Sequence, residues 1–193
     1  MALLTGNKKI KTAVFISGTG SNLKNLIQFS KTKKSPILID LIISNNFKSK
    51  GLRFAKIFKI KKKILTFKKK KTDEKKLIRV LKEEKINLIC LAGFMKILSR
   101  NFIKSFKGKI LNIHPSLLPN YKGLNTHTRV LINKEKYTGC TVHFVSPRLD
   151  NGKIIIQKKI KIKKNDTPKK LAKRVLIEEH KLYPKAILKI FNL

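Results

Sequence analysis

The stretch Lys11–Leu23, KTAVFISGTGSNL, sets the fold class. Lys11–Ser17 is a short apolar run with β-branched residues, the pattern of a buried strand. Gly18-Thr19-Gly20-Ser21-Asn22 breaks it with a turn signal, and Leu23, Leu26 and Ile27 follow at helical spacing. Strand, glycine loop and helix in succession open an α/β unit. Such a loop is a candidate phosphate cradle, because glycine lets backbone N–H groups approach an anion and the helix start adds its dipole. The run is neither G-x-G-x-x-G nor a P-loop: Leu23 stands where a third Gly belongs, and no Lys-Ser/Thr pair follows. That incomplete fingerprint also removes Asp40 as a ribose-binding acid. By itself the loop leaves a phosphate site and a structural turn both open.

Working outward, Pro36–Ser44 (PILIDLIIS) reads as a buried strand, Gly51–Phe58 as a helix and Lys63–Phe67 as a weak strand. A helix is expected to open at Thr72, with Asp73 and Glu74 in its first turn and Leu77, Val80 and Leu81 as its apolar face. Ile86–Ala92 and Lys109–Ile113 read as strands around a short helix, Ser99–Phe106. Pro115–Lys122 is a loop, and Leu124–Asn133 a helix. Tyr137–Val145 and Lys153–Lys163 are strands, the second alternating apolar and basic residues as if one face were solvated. Asp166-Thr167-Pro168 opens a long C-terminal helix whose apolar positions include Leu171, Val175, Leu182, Ile187 and Ile190. The expected class is α/β, with a mostly parallel central sheet, flanking helices and a C-terminal antiparallel addition. One domain spanning 1–193 is expected, with no internal repeat or linker.

Lys and Arg number 47 against 10 Asp and Glu, a formal charge of +37. Such a surface invites a nucleic-acid partner through counterion release. Yet there are 41 Lys and only 6 Arg, whose fork suits phosphate and bases better. The lysines are spread along the chain, no Trp occurs, and aromatics do not interleave with the basic runs. Compositional drift is the favoured account, with no specific nucleic acid expected; the field still attracts anionic substrates. Cys90 and Cys140 each lie in an apolar run and form neither a disulfide framework nor a metal pair. No apolar run reaches the roughly 18–20 residues of a membrane span. Met1–Thr12 places its basic residues after an apolar patch, the reverse of a signal peptide. A cytoplasmic protein is expected.

The chemistry gathers around Leu111–Pro119, LNIHPSLLP. Asn112 and His114 are two apart at a strand end, so both face one way. Open α/β sheets carry ligands at the carboxyl ends of their strands, and Pro115 leaves His114 at that mouth. His114 exchanges a proton near neutral pH, and the Asn112 amide donates to a developing oxyanion. Asp150, in the turn Leu149-Asp150-Asn151-Gly152, is the best carboxylate to orient the histidine and favour its charged form.

At these residues the chain resembles the phosphoribosylglycinamide formyltransferase family, folate-dependent enzymes of purine synthesis. The resemblance runs almost end to end through SGTGSNL (17–23), LAGFMKILS (91–99), LNIHPSLLPNYKGLNTH (111–127), TVHFVSPRLDNG (141–152) and EEHKLYP (178–184). It implies a Rossmann-like formyltransferase fold, and formyl transfer from 10-formyltetrahydrofolate to glycinamide ribonucleotide. It implies Asn112, His114 and Asp150 as the catalytic trio, with His143 as support behind them. Gly20, Ser21 and Asn22 would take the substrate phosphate, and Glu179 would help hold that substrate. Phe94, Met95, Lys96, Ile97 and Leu98 would line the folate pocket, with Asn112 and, on a looser match, Lys70. No metal or tightly bound cofactor is implied, and either a monomer or a homodimer is compatible. Lys96 replaces an arginine of the family pattern and Asn125 a histidine, changes expected to tune folate affinity.

Methionyl-tRNA formyltransferase shares HPSLLP, but the Gly20-Ser21-Asn22 loop and the lack of sequence after Leu193 weigh against it. Formyltetrahydrofolate deformylase typically carries an HHS-type motif where this chain has His114-Pro115-Ser116. A basic nucleic-acid-binding protein would leave the Asn–His–Asp grouping unexplained.

Overall fold

The computed structural model describes residues 9–193, so most of the segment read against a signal peptide lies outside the described residues. The chain forms two compact units. The first runs to Lys96 and includes Phe106–Lys109; the second comprises Ile97–Ser105 and Ile110–Leu193.

In the first unit, β1 (Ile10–Ile16), β2 (Ile37–Ser44), β3 (Lys61–Ile64) and β4 (Leu88–Leu91) are parallel, in the order β3-β2-β1-β4. β1 is central, and Ala13–Ile16 are fully buried. Burial on both faces explains why its sequence is a continuous apolar run instead of an alternation. α1 (Ser21–Ser30) buries Leu23, Leu26 and Ile27, as their spacing predicts. A 3-10 turn (Lys50–Leu52) leads into α2 (Arg53–Ile57), and α3 (Lys70–Glu83) follows β3.

β3 and α3 depart from the sequence reading for identifiable reasons. β3 is Lys61–Ile64, not Lys63–Phe67, and all four of its residues are exposed. It is an edge strand held by backbone pairing of Leu41–Ser44 with Lys61–Ile64, so hydrophobic patterning carries no trace of it. Its lysines suit an edge that must not pair with another chain. α3 begins at Lys70, before the acidic residues expected to start it, and buries Leu77, Leu81 and Glu74 while Val80 is half-buried.

β5 (Lys109–His114), which from Ile110 on belongs to the second unit, pairs antiparallel with β6 (Tyr137–Phe144), and β6 with β7 (Ile154–Lys161); β6 and β7 are the expected C-terminal addition. α4 (Arg100–Ser105) and α5 (Thr126–Ile132) are short. α6 (Pro168–Ile190) starts with Pro168 after Thr167, whose hydroxyl accepts from the Lys170 N–H at 3.3 Å. α6 packs on β6 and β7 and buries Leu171, Val175, Leu182, Tyr183 and Ile187. Ile190, expected on this face, is half-buried. No helix among the described residues is long and apolar enough to cross a membrane.

Candidate active site

The antiparallel register builds the site. Asn112 lies opposite His143, and His114 opposite Thr141. Directly paired residues share a face of the sheet. Asn112, His114 and His143 therefore project together, from the last turn of β5 and from β6. Asp150 comes to them from the turn between β6 and β7, at φ 43°. The next turn residues leave no freedom: a Cβ on Gly152 would stand 1.6 Å from the Phe144 carbonyl oxygen.

Hydrogen bonding assigns the protons. His143 Nδ1 lies 2.8 Å from the Phe144 carbonyl, which only accepts, so Nδ1 carries the proton and Nε2 the lone pair. Asn112 Nδ2 donates to that lone pair at 3.2 Å and to Asp150 Oδ1 at 3.4 Å. Burial holds His143 below the ordinary histidine range, although the Phe144 carbonyl and Asp150 act the other way. His114 faces an acceptor on each side: the Tyr121 carbonyl is 2.9 Å from Nε2, and Asp150 Oδ2 is 3.4 Å from Nδ1. The Tyr121 carbonyl only accepts, so Nε2 carries a proton. The side chains of His114 and Asp150 are buried, at 7% and 8% exposure. The Gly123 N–H donates to Asp150 Oδ2 at 2.9 Å and fixes the carboxylate.

Sequence reasoning passed over three parts of this arrangement. Tyr121 and Gly123 act through backbone atoms, which residue type does not reveal. His127, on α5, has a buried Nδ1 with no hydrogen-bond partner, and burial together with His114 lowers its proton affinity. Its position in the NTH stretch was the one available signal.

The glycine loop belongs to the first unit. Gly20 adopts φ +76° and precedes α1, whose start no side chain caps and whose first turn holds no acid. A Cβ on Gly20 would meet Gly51 Cα at 2.7 Å, so the loop sits directly on the 3-10 turn. Gly51 N–H and Ser49 Oγ both donate to the Gly18 carbonyl, at 3.0 and 2.6 Å. Ser21 is half-buried and Asn22 buried. Ser17 ties this loop to the FMK stretch: its Oγ accepts from Met95 N–H at 2.7 Å, and its N–H donates to the Gly93 carbonyl at 3.1 Å.

Phe94 packs edge-on against Phe15 and Phe67 at 5.3 and 5.5 Å. Met95, Lys96 and Ile97 are exposed, and Leu98 is buried. Met95 is 61% exposed and Ile97 57%. Lys70 is exposed at the start of α3. Glu179 is buried on α6, where its charge bears on the Cys140 thiol. Among the described residues, no group of three or more His, Cys, Asp or Glu is arranged to hold a metal ion.

Comparison with known proteins decides the family. The formyl transferase model matches residues 10–187. The chain belongs to the formyl transferase family. The formyl transferase fold is shared with the crystal structure of phosphoribosylglycinamide formyltransferase from Brucella melitensis, at TM-score 0.89 and 40% identity over 95% of this chain and 96% of that one. Among sequences, the chain is 38% identical over 177 residues to the Escherichia coli phosphoribosylglycinamide formyltransferase, covering 90% of this chain and 84% of that protein. It is 43% identical over 183 residues to the human trifunctional purine biosynthetic protein adenosine-3, covering 93% of this chain. The chain spans 18% of the length of that human relative. The family resemblance implied by SGTGSNL and NIHPSLLP is thus borne out.

Proposed function

We propose that the chain transfers the formyl group of 10-formyltetrahydrofolate to the amine of 5'-phosphoribosylglycinamide, giving formyl-phosphoribosylglycinamide and tetrahydrofolate, a step of purine synthesis. The observation that carries this reading is the single Asp150 carboxylate set between His114 Nδ1 and Asn112 Nδ2. A proton-bearing imidazole and an amide held by one carboxylate suit a tetrahedral oxyanion. The names of the Escherichia coli and Brucella melitensis relatives support the choice of substrate.

The amine attacks the formyl carbon and an oxyanion forms. The His114 imidazolium and the Asn112 amide stabilise it, at about 2.7–4 kcal/mol for each donor. One Asn112 N–H is held by His143 Nε2 at 3.2 Å; the other makes only a long contact with Asp150 Oδ1, 3.4 Å, and is the one turned to the oxyanion. Asp150 orients the ring and relays the proton through water from the attacking amine to the departing folate nitrogen. An amine needs no strong base. Gly20, Ser21 and Asn22 take the phosphate at the uncapped start of α1, and Glu179 helps hold that substrate. Met95, Lys96 and Ile97 present the surface for the folate, supported by Phe94 and Leu98, with Lys70 contributing charge. Lys96 offers a point charge where an arginine would offer a fork.

A steady-state assay with both substrates, run beside His114→Ala, tests the reading. Formyl transfer that is lost in the variant is expected. A folded wild-type protein that binds the folate yet does not formylate this amine overturns it.

A further inference from the structure

His114, Thr141 and Gln157 form one row across the antiparallel strands. Thr141 pairs with His114 on one side and with Gln157 on the other. Side chains opposed in this way share a face. Within it, Thr141 and Gln157 are joined to each other and to the 116–118 backbone by a saturated set of hydrogen bonds. The Thr141 hydroxyl donates to the Ser116 carbonyl at 2.6 Å. It accepts from the Leu118 N–H at 3.1 Å and from Gln157 Nε2 at 2.9 Å. The second Gln157 N–H goes to the Leu118 carbonyl at 2.8 Å. Every donor of the Gln157 amide nitrogen and every site of the Thr141 hydroxyl is used.

These bonds grip the backbone of the loop that follows His114. Three main-chain groups of Ser116 and Leu118 are held from β6 and β7, and Ser116 Oγ holds the Asn120 carbonyl at 2.7 Å. The next residue, Tyr121, supplies the carbonyl that receives the His114 Nε2 proton. A loop of this kind, with two prolines and no regular structure, has few other backbone partners to keep it in place.

We infer that Thr141 and Gln157 are positioning residues for His114, acting through the 116–121 loop to aim the Tyr121 carbonyl at its ring. This rests on the proposed formyl transfer only for its kinetic consequence; the effect on the imidazole is independent of substrate. Thr141 is fully buried, whereas Gln157 is exposed on β7, so its replacement removes two N–H donors without opening the core.

The test uses the full chain with Gln157→Met, Thr141→Val and Thr141→Ser. Two readouts are taken: kcat and KM for each substrate, and the nitrogen NMR signals of the His114 ring across a pH series. Gln157→Met is expected to lower kcat about tenfold with KM for the phosphorylated substrate within about twofold, and to shift the His114 ring signals. Thr141→Val is expected to behave alike, and Thr141→Ser, which keeps the hydroxyl, to restore both readouts. Unchanged His114 ring signals in Gln157→Met and Thr141→Val overturn the inference, as does a Thr141→Ser enzyme as impaired as Thr141→Val. An inactive wild-type chain whose ring signals still move on Gln157→Met would refute the formyl-transfer reading and sustain this one.

Discussion

Asp150 Oδ2 lies 3.4 Å from His114 Nδ1, and the same oxygen accepts the Gly123 N–H at 2.9 Å. The carboxylate is thereby anchored by the loop that also carries the Tyr121 carbonyl. Asp150→Asn keeps the size of the side chain and removes the carboxylate that faces His114 Nδ1 and Asn112 Nδ2. It is expected to lower kcat by at least about 100-fold, comparable to loss of an oxyanion donor, with KM for the phosphorylated substrate little changed. Equal losses in kcat and in substrate affinity, measured by steady-state kinetics, would contradict this division of labour.

The contact between Gly20 and Gly51 leaves no room for a methyl group. On Gly51 a Cβ would stand 2.7 Å from Ile16 Cδ1 and 3.0 Å from Gly20 Cα. Gly51→Ala is expected to destabilise the chain by about 1–3 kcal/mol through overpacking and to raise KM for the phosphorylated substrate by displacing the loop. Urea unfolding and substrate titration measure the two effects. A variant with wild-type stability and KM would show that the loop does not depend on this contact.

Three histidines, His127, His143 and His180, have their proton affinity lowered, each chiefly by burial. Their folded-state pKa values lie below the unfolded value of about 6.5. Below that pH the unfolded chain binds more protons, so stability is lost as pH falls from about 6.5 toward the folded values. Unfolding midpoints should therefore be lower at pH 5.5 than at pH 7.5. His143→Gln should reduce the difference, and a midpoint independent of pH across this range would contradict the assignment.

The Cys140 thiol is pushed up to about 12 by burial first and then by Glu179 and Glu178. Cys90, like Cys140, is fully buried. Both thiols should resist a thiol-specific chromogenic reagent at pH 8 in the native protein and react on unfolding. Rapid native labelling of either one would overturn this.

The first strand, its glycine loop and α1 were readable because burial on both faces of β1 and on one face of α1 leaves a regular apolar trace. That Asn112, His114 and Asp150 lie together was readable because two of them share a strand and the third is the carboxylate of the turn between β6 and β7. β3 was misplaced because an exposed edge strand is held by backbone pairing and leaves no such trace. The start of α3 was misread because Asp73 and Glu74 suit a first turn, and the chain entered the helix two residues earlier, at Lys70.

Local pattern thus carries the strands and helices that bury apolar faces, the turns that need glycine or proline, and the candidate polar groups of the site. Which atoms those groups meet is set by contacts between residues far apart in the chain. The Asn112–His143 pairing spans 31 residues and the Gln157–Leu118 bond 39. Backbone donors and acceptors such as Gly123 N–H and the Tyr121 carbonyl are common to nearly every residue type. Their role at His114 and Asp150 comes from the register of β5, β6 and β7 and the path of the 116–121 loop, not from the side chains they bear.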